Sequence, residues 1–142
     1  MPRIVRPMKV DPDHLPRVGC ASNCLGVRVP PNKNADIDLD SGGNVILNGK
    51  GMSVSDDWRK LSGHLIPEGL DDGQNNARGK GMRVFVHGSG RFEDGTVTSK
   101  LMLHLKVGSQ SNGVVSPVEA VDLALFQASL AETRSDWLID EG

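Results

Sequence analysis

The sequence predicts an α+β fold of short, mostly antiparallel strands with one clear helix near the C-terminus. Apolar and polar residues alternate in Met82–His87 and Thr96–Lys106, which is typical of strands with one buried face. Leu123, Phe126 and Leu130 recur at helical spacing and form one apolar stripe. The 17 glycines and 8 prolines among 142 residues indicate short elements joined by many turns. The length suits a single domain spanning residues 1–142.

The N-terminal residues predict little regular structure at first. Residues 1–16 carry four prolines among charged residues, so we expect an extended arm with little structure of its own. Arg17–Cys20 and Leu25–Val29 then predict two short strands or one broken strand. Arg28, between two valines, would point away from the core. Its side chain is either a solvated or paired surface group or an anion ligand.

A polar loop follows, with alternating acids in Asp36–Gly42. This pattern suits a short edge strand whose charges deter pairing. The segment superficially resembles a calcium loop, but Ser41 stands where the required glycine belongs. Leu47 stands where such a loop has its bidentate acid. We therefore expect no calcium site.

Asn48–Trp58 is the stretch that predicts a hairpin with a ligand-facing hydroxyl. Val45–Leu47 leads into Asn48-Gly49, the strongest short indication of a tight turn, and Met52–Val54 follows. Gly51 would let the backbone approach another segment closely. Ser53 is either part of a structural hairpin or a hydroxyl that lines a ligand pocket.

The middle of the chain predicts weaker structure. Trp58–Leu61 predicts one helical turn with Asp56 or Asp57 as its cap. Leu65–Pro67 is a short extended piece. Gly69–Gly81 is a long loop rich in Gly, Asn and Asp.

The C-terminal third predicts a strand and then the helix. Val114–Val115 is a short strand. Ser116–Glu119 matches a capping box with proline at the first helical position, and Asp122 offers a second possible start. The helix itself covers Leu123–Thr133, and Trp137–Ile139 is a closing apolar segment.

Composition excludes several classes of function. The chain has no Tyr, 3 Phe, 2 Trp and a net charge of −2, which argue against stacking on single strands and against general nucleic-acid binding. No apolar run reaches transmembrane length, and the first residues lack the apolar core of a signal peptide. We therefore expect a cytoplasmic protein, or one exported without a cleaved signal peptide.

Common catalytic and metal motifs are absent from the sequence. Cys20 and Cys24 are too few for a disulfide scaffold, and no spacing of Cys and His defines a zinc site. His87 and His104 lie on predicted strands whose pairing would bring them close. No phosphate loop, dinucleotide fingerprint or serine-nucleophile elbow occurs. Any enzyme activity would have to use scattered residues, and we expect no metal.

Three segments resemble a family of small bacterial toxins, the type VI secretion effector two group, which has an ADP-ribosyltransferase-like fold. Lys50–Asp56 is similar to that group's Gly-Gly-Thr/Met-Ser-Val-x-Asp segment, and Leu65–Gly69 to its Ile-Pro-Asp-Gly stretch. Val114–Pro117, followed by the helix and Trp137, resembles its last strand, helix and Trp. More loosely, Leu25–Val29 resembles its first strand, which carries an arginine. Together these segments cover about half of the chain.

The resemblance implies a mechanism that uses NAD. Arg28 would bind the pyrophosphate or ribose through a forked contact, and Ser53 would hold the nicotinamide ribose. A carboxylate would stabilise the positive charge that develops as nicotinamide leaves. Classical ADP-ribosyltransferases place this Glu where Ser116 stands, so Glu119 is the nearest acid. His64 would contribute to the cofactor pocket.

Two functions therefore stay open at this point. One is a bacterial toxin-like protein with an ADP-ribosyltransferase-like fold that depends on NAD, acts in the cytoplasm and is neutralised by an immunity or antitoxin protein. The alternative is a non-enzymatic binding module, such as an immunity or antitoxin-type protein or an adaptor. The acidic block between Asp36 and Asp72 would suit a basic partner.

Overall fold

The structure, a computed structural model, describes residues 1–60 and 81–141. The strands in these ranges are β1 (Ile4–Lys9), β2 (Met52–Ser55), β3 (Met82–His87), β4 (Gly95–Thr96), β5 (Leu101–Leu105), β6 (Asn112–Pro117) and β7 (Leu138–Ile139). The helical elements in the same ranges are α1 (Leu123–Ala131) and two short 3-10 helices, Trp58–Lys60 and Arg134–Asp136. His64, Leu65–Pro67 and most of the predicted loop 69–81 lie outside the described residues.

The described strands form one sheet in the order β4-β5-β6-β2-β1-β3-β7, and each neighbouring pair is antiparallel. This confirms the α+β class with mostly antiparallel strands and a C-terminal helix. Strand β1 lies inside the sheet between β2 and β3. The described part of the chain contains no helix with the length and apolar character that crossing a bilayer requires.

The prediction that residues 1–16 form an extended arm with little structure is wrong for Ile4–Lys9, which forms strand β1. Ile4 and Met8 are fully buried in the main core, while Val5 packs on the opposite face of the sheet. The prolines of residues 1–16 hid this alternation, because proline normally avoids central strands. Pro7 is nevertheless paired with Val84 of β3.

The predicted hairpin around Asn48 and Gly49 is also wrong. Strand β2 pairs with β1 and β6, whereas Val45 makes only an isolated bridge to Leu39. Gly49 has a φ of +83°, but Asn48 does not share the positive φ that a type I′ turn requires. The expected close approach at Gly51 is confirmed, since a Cβ atom there would overlap the carbonyl oxygen of Val115.

The earlier loops form fewer strands than the sequence predicts. Arg17–Cys20 and Leu25–Val29 contribute only an isolated bridge, between Val18 and Leu25, and Asp36–Gly42 forms no strand. The predicted helical turn at Trp58 is confirmed for Trp58–Lys60. Asp57 accepts a hydrogen bond from the Arg59 amide there at 3.0 Å.

The C-terminal half follows the sequence more closely. Strand β3 has the predicted bounds, whereas the single strand predicted for Thr96–Lys106 is a hairpin of β4 and β5. The capping-box start at Ser116 is wrong, because Ser116 and Pro117 end β6. The second start is confirmed: Asp122 caps α1 and its Oδ1 accepts from the Leu125 amide at 2.7 Å.

The main core lies between one sheet face and α1. Phe126 and Leu130 of α1 and the nearby Trp137 pack with buried residues of β1, β2, β3, β5 and β6. The N-terminal loops add Leu25, Val27, Ile37 and Val45 to this core. A smaller cluster on the opposite face joins Val5, Val84 and Val86 to Trp58.

His87 at the end of β3 is a buried titratable group in this core. Its side chain is 4% exposed, and its ring lies 5.3 Å from the Trp137 ring. Among the described residues, its Nδ1 atom is buried without a hydrogen-bond partner. Burial lowers the pKa of His87; Asp136 opposes this shift and the N-terminal ammonium group adds to it.

We predict that His87 makes the fold less stable as the pH falls. The unfolded chain binds a proton near the ordinary histidine pKa, whereas the folded chain keeps His87 neutral, so the unfolded state gains protons first. Between about pH 7 and pH 5 the free energy of unfolding should fall by up to about 1.4 kcal/mol per pH unit from this group. Urea unfolding at several pH values measures the slope.

His87→Phe tests the origin of this pH dependence, and His14→Asn is its control. His87→Phe keeps an apolar ring against Trp137 and should flatten the pH dependence. His14 is exposed, so His14→Asn should leave the wild-type slope. An unchanged slope in His87→Phe would show that other groups set the pH dependence.

Candidate functional site

Strands β1 and β2 part at the centre of the sheet. Their pairing is confined to Val5 and Ser55. Continuing this register by two residues on each strand would place Pro7 opposite Ser53, but proline has no N–H to donate. The Ser53 carbonyl instead accepts a hydrogen bond from Arg6 Nη1 at 2.6 Å. A side chain of β1 thus replaces a missing backbone donor.

The remaining Arg6 donors hold residues 22–24, which we call the clamp segment. Nε and Nη2 donate to the Cys24 carbonyl at 3.2 and 2.9 Å, and Nη2 also donates to the Ser22 carbonyl at 3.0 Å. The Lys9 amide donates to the Asn23 carbonyl at 2.7 Å. The clamp segment therefore lies beside the part of β1 that β2 leaves unpaired.

The charge of Arg6 is buried and contacts neutral oxygens. Burial lowers the pKa of Arg6 to about 10; nearby Asp36 and Cys24 oppose this shift, and Arg28 adds to it. Arg6 is therefore still protonated at neutral pH. Its fork is satisfied by backbone carbonyls, which carry no full negative charge.

Asp36, the carboxylate that most opposes the lowering of the Arg6 pKa, is bound to Arg28. Arg28 Nη2 and Nε donate to the two Asp36 oxygens at 2.9 and 3.2 Å, and the Arg28 amide donates to Oδ2 at 2.7 Å. These hydrogen bonds raise the pKa of Arg28. Arg6 and Arg28 thus share one carboxylate, which leaves the group with an excess of positive charge.

The structure places Ser53 on a strand, as predicted, but places Arg28 differently from the prediction. Arg28 lies in a loop rather than on a strand, and its side chain is 32% exposed with its fork on Asp36. Ser53 lies on β2 and is exposed. Because Met52 and Val54 face the main core, the Ser53 hydroxyl points to the opposite face. Arg6, which alternates with Ile4 and Met8, extends from the core face.

Glu119 lies apart from both residues. It is exposed, two residues beyond the end of β6, and lines a cavity of about 160 Å³ beside α1. Within the described ranges, no hydrogen bond or ion pair joins it to Arg28 or Ser53. His64, the remaining predicted site residue, lies outside the described residues.

Polar side chains share the sheet face that bears Ser53. Val114 of β6 lies opposite Ser53 on one side and opposite His104 of β5 on the other. Ser116, two residues along β6, lies on the same face and is buried. The face around Ser53 therefore offers hydroxyl and imidazole groups to a ligand.

The expected proximity of His87 and His104 is wrong. Strands β3 and β5 are separated by β1, β2 and β6 in the sheet. Four strand spacings correspond to about 19 Å. The two histidines therefore do not form a common site.

Sequence reasoning missed Arg6. The residue lies in the proline-containing stretch that predicts an arm, so its pattern of apolar neighbours at Ile4, Val5 and Met8 received no weight. That alternation, with a single arginine on the face of Ile4 and Met8, is the feature from which a buried strand arginine follows. Arg28 has a comparable Val-Arg-Val pattern, and it is the arginine that the sequence predicts on a strand.

Comparison of the chain with protein-family models, curated proteins and solved structures finds no match. The described residues contain no group of three or more His, Cys, Asp or Glu side chains suited to a metal ion. The resemblance to the toxin family therefore stays a prediction.

We predict that Arg6→Met destabilises the fold by about 3 kcal/mol or more, because it leaves three buried or half-buried carbonyls without their donor. Arg6→Lys should lose less, since an ammonium group keeps the charge but does not reproduce the fork. Urea unfolding monitored by circular dichroism measures both losses.

Arg59→Met is the matched control for these two variants. The Arg59 side chain is 55% exposed, so this change should cost less than about 0.5 kcal/mol. Equal stability of Arg6→Met and wild type would contradict the role of the guanidinium at the junction.

Proposed function

We propose that the protein is a bacterial toxin-like protein with an ADP-ribosyltransferase-like fold that binds NAD and acts in the cytoplasm. One observation carries the proposal. The two described segments with the clearest likeness to the toxin family, Lys50–Asp56 and Val114–Pro117, form the paired strands β2 and β6. Strand β1, which carries Arg6, is the other neighbour of β2. The resemblance assigns its arginine to Leu25–Val29, which forms no strand next to β2, so the support comes from the pairing of β2 with β6 and from a different arginine, Arg6, on the neighbouring strand.

The charges around Arg6 support binding of a pyrophosphate. Arg6 and Arg28 carry two positive charges against the single carboxylate of Asp36, so an anion would be attracted to this part of the surface. Arg28 is the accessible member, but Asp36 occupies its Nε and Nη2 donors, so a phosphate would have to displace this carboxylate or bind at Nη1. Arg6, whose fork is filled by carbonyls, contributes its charge and fixes the strands.

The proposed binding and the proposed chemistry involve different residues. Ser53 offers an exposed hydroxyl for a ribose on the face that also bears His104, which is the sheet face opposite to the one from which Arg6 extends. Transfer of ADP-ribose would need a carboxylate near the bond to nicotinamide, and Glu119 is assigned this role. Because Glu119 lines a separate cavity, NAD binding and transfer are tested separately.

We predict that calorimetric titration detects NAD binding to the wild-type protein at millimolar concentration. Arg28→Ala should weaken this binding about tenfold or more, because it removes the accessible guanidinium. Arg59→Ala, which removes an exposed arginine paired with Asp57, should bind like wild type. The assigned site would be contradicted if the wild-type protein gave no binding heat, or if Arg28→Ala bound NAD as tightly as wild type.

Expression in bacteria tests the toxin activity. Growth should slow on expression of the wild-type chain, and Arg28→Ala, Ser53→Ala and Glu119→Gln should each relieve the effect. Western blotting controls for the amount of protein. A harmless wild-type chain would count against the toxin proposal, and full toxicity of all three variants would show that its site is elsewhere.

A second candidate is a non-enzymatic binding module, such as an immunity or antitoxin-type protein or an adaptor. It is favoured by the closed Arg28–Asp36 pair and by the separation of Glu119 from Ser53. Under this proposal the protein itself neutralises a partner, whereas under the first it is bound by an immunity or antitoxin protein. The binding-module proposal would be favoured if NAD titration gave no binding heat and expression of the protein did not slow growth.

A further inference from the structure

Helix α1 exposes an uncharged apolar face. The nine residues of Leu123–Ala131 include no charged side chain. Phe126 and Leu130 face the core, whereas Leu125 is 46% exposed and Ala124 and Ala128 are also exposed. The outer face of a surface helix normally carries charged or polar residues. The outer face of α1 instead presents leucine and alanine to solvent.

A second apolar strip begins beside the start of α1. An antiparallel bridge joins Asn44 to Asp122, the residue that caps α1. From this bridge the chain continues to Ile46 and Leu47, which are 38% and 51% exposed. Two exposed apolar side chains therefore lie two and three residues after Asn44, whose backbone is bridged to the cap of α1.

A cavity of about 160 Å³ lies beside Leu125, between α1 and the ends of β5 and β6. Its lining combines the apolar residues Pro117, Val118, Val121 and Leu125 with the polar residues Ser99, Lys100, Glu119 and Ser129. A partly apolar hollow next to an exposed leucine is the kind of feature that receives an anchoring side chain at an interface. We call Ile46, Leu47, Leu125 and this cavity the α1 docking surface.

The rim of the α1 docking surface is acidic. Its two lysines are already paired: Lys50 Nζ lies 3.0 Å from Asp38, and Lys100 Nζ lies 3.1 Å from Glu132. The acids in excess among the described residues are Asp40, Glu119 and Asp122, which are all exposed. A partner with basic residues around apolar anchors would match this distribution.

We propose that the α1 docking surface binds a basic amphipathic segment of another protein. The acidic rim favours this occupant over a second copy of the chain, because a symmetric pair would bring two acidic rims together. It also disfavours an anionic lipid surface for the same electrostatic reason. Binding rests on Leu125 and Leu47 rather than on Arg6, Arg28 or Ser53, so it does not require NAD, and Glu119 is the residue that the rim shares with the proposed transfer chemistry.

A labelled synthetic helix tests this surface. The probe has about 14 residues, with leucines at helical positions i, i+3, i+4 and i+7 and lysines elsewhere; a second peptide replaces each lysine by glutamate. Fluorescence anisotropy should show binding of the lysine probe and not of the glutamate probe. Leu125→Gln should weaken binding about tenfold, and added salt should weaken it further.

The controls separate this surface from non-specific attraction. Leu138 is 68% exposed on β7 at the other end of the sheet order, so Leu138→Gln should bind like wild type, as should Arg28→Ala. Leu47→Gln repeats the test if Leu125→Gln fails to fold. No binding of the lysine probe, or equal losses in Leu125→Gln and Leu138→Gln, would overturn the proposal. If sedimentation shows a concentration-dependent dimer of the wild-type protein that Leu125→Gln no longer forms, the surface binds a second copy of the chain instead.

Discussion

The guanidinium group of Arg6 solves a hydrogen-bonding problem created by Pro7. Proline within a strand removes a ladder donor, and a buried carbonyl without a partner is costly. Arg6 donates to Ser53 across the gap and to Ser22 and Cys24 beside it. One side chain therefore adds hydrogen bonds between two strands and a loop that the backbone connects at few points, such as Val5–Ser55 and Lys9–Asn23.

The same solution sets the electrostatics of the candidate site. A buried cation bound to neutral carbonyls needs nearby negative charge, and Asp36 supplies it while also pairing with Arg28. Arg28 is consequently held in position and still reaches solvent. The proposed anion site thus depends on the same guanidinium that reinforces the junction of β1 and β2, while the ladder between β2 and β6 holds the next pair in the sheet.

Local patterns predicted the elements that are determined locally. Strand β3 follows from its alternation, and α1 follows from its apolar stripe and from Asp122. The Asn48-Gly49 hairpin failed because Met52–Ser55 gains more partners between β1 and β6 than a local turn would provide. Likewise, Ser116 and Pro117 read as a cap but pair with β5. Pairing partners far apart in sequence leave no local pattern.

The site was predicted only in part for the same reason. Ser53 lies on a strand beside an arginine strand, but the arginine is Arg6, because β1 is recognisable only from its long-range pairing with β3. Arg28 had the expected local sequence and yet lies in a loop bound to Asp36. The distance of Glu119 from Ser53 depends on where β6 ends. The local sequence predicts that the strand ends at Val115, whereas β6 continues to Pro117.

Amide hydrogen exchange in wild type and Arg6→Lys tests the central role of Arg6 most directly. The Lys9 amide bonds to Asn23 and the Leu25 amide to Arg17, so both report on the clamp segment and its attachment to β1. The account predicts that these two amides lose protection in Arg6→Lys while the amides between β5 and β6 keep theirs. Unchanged protection of Lys9 and Leu25 would contradict it.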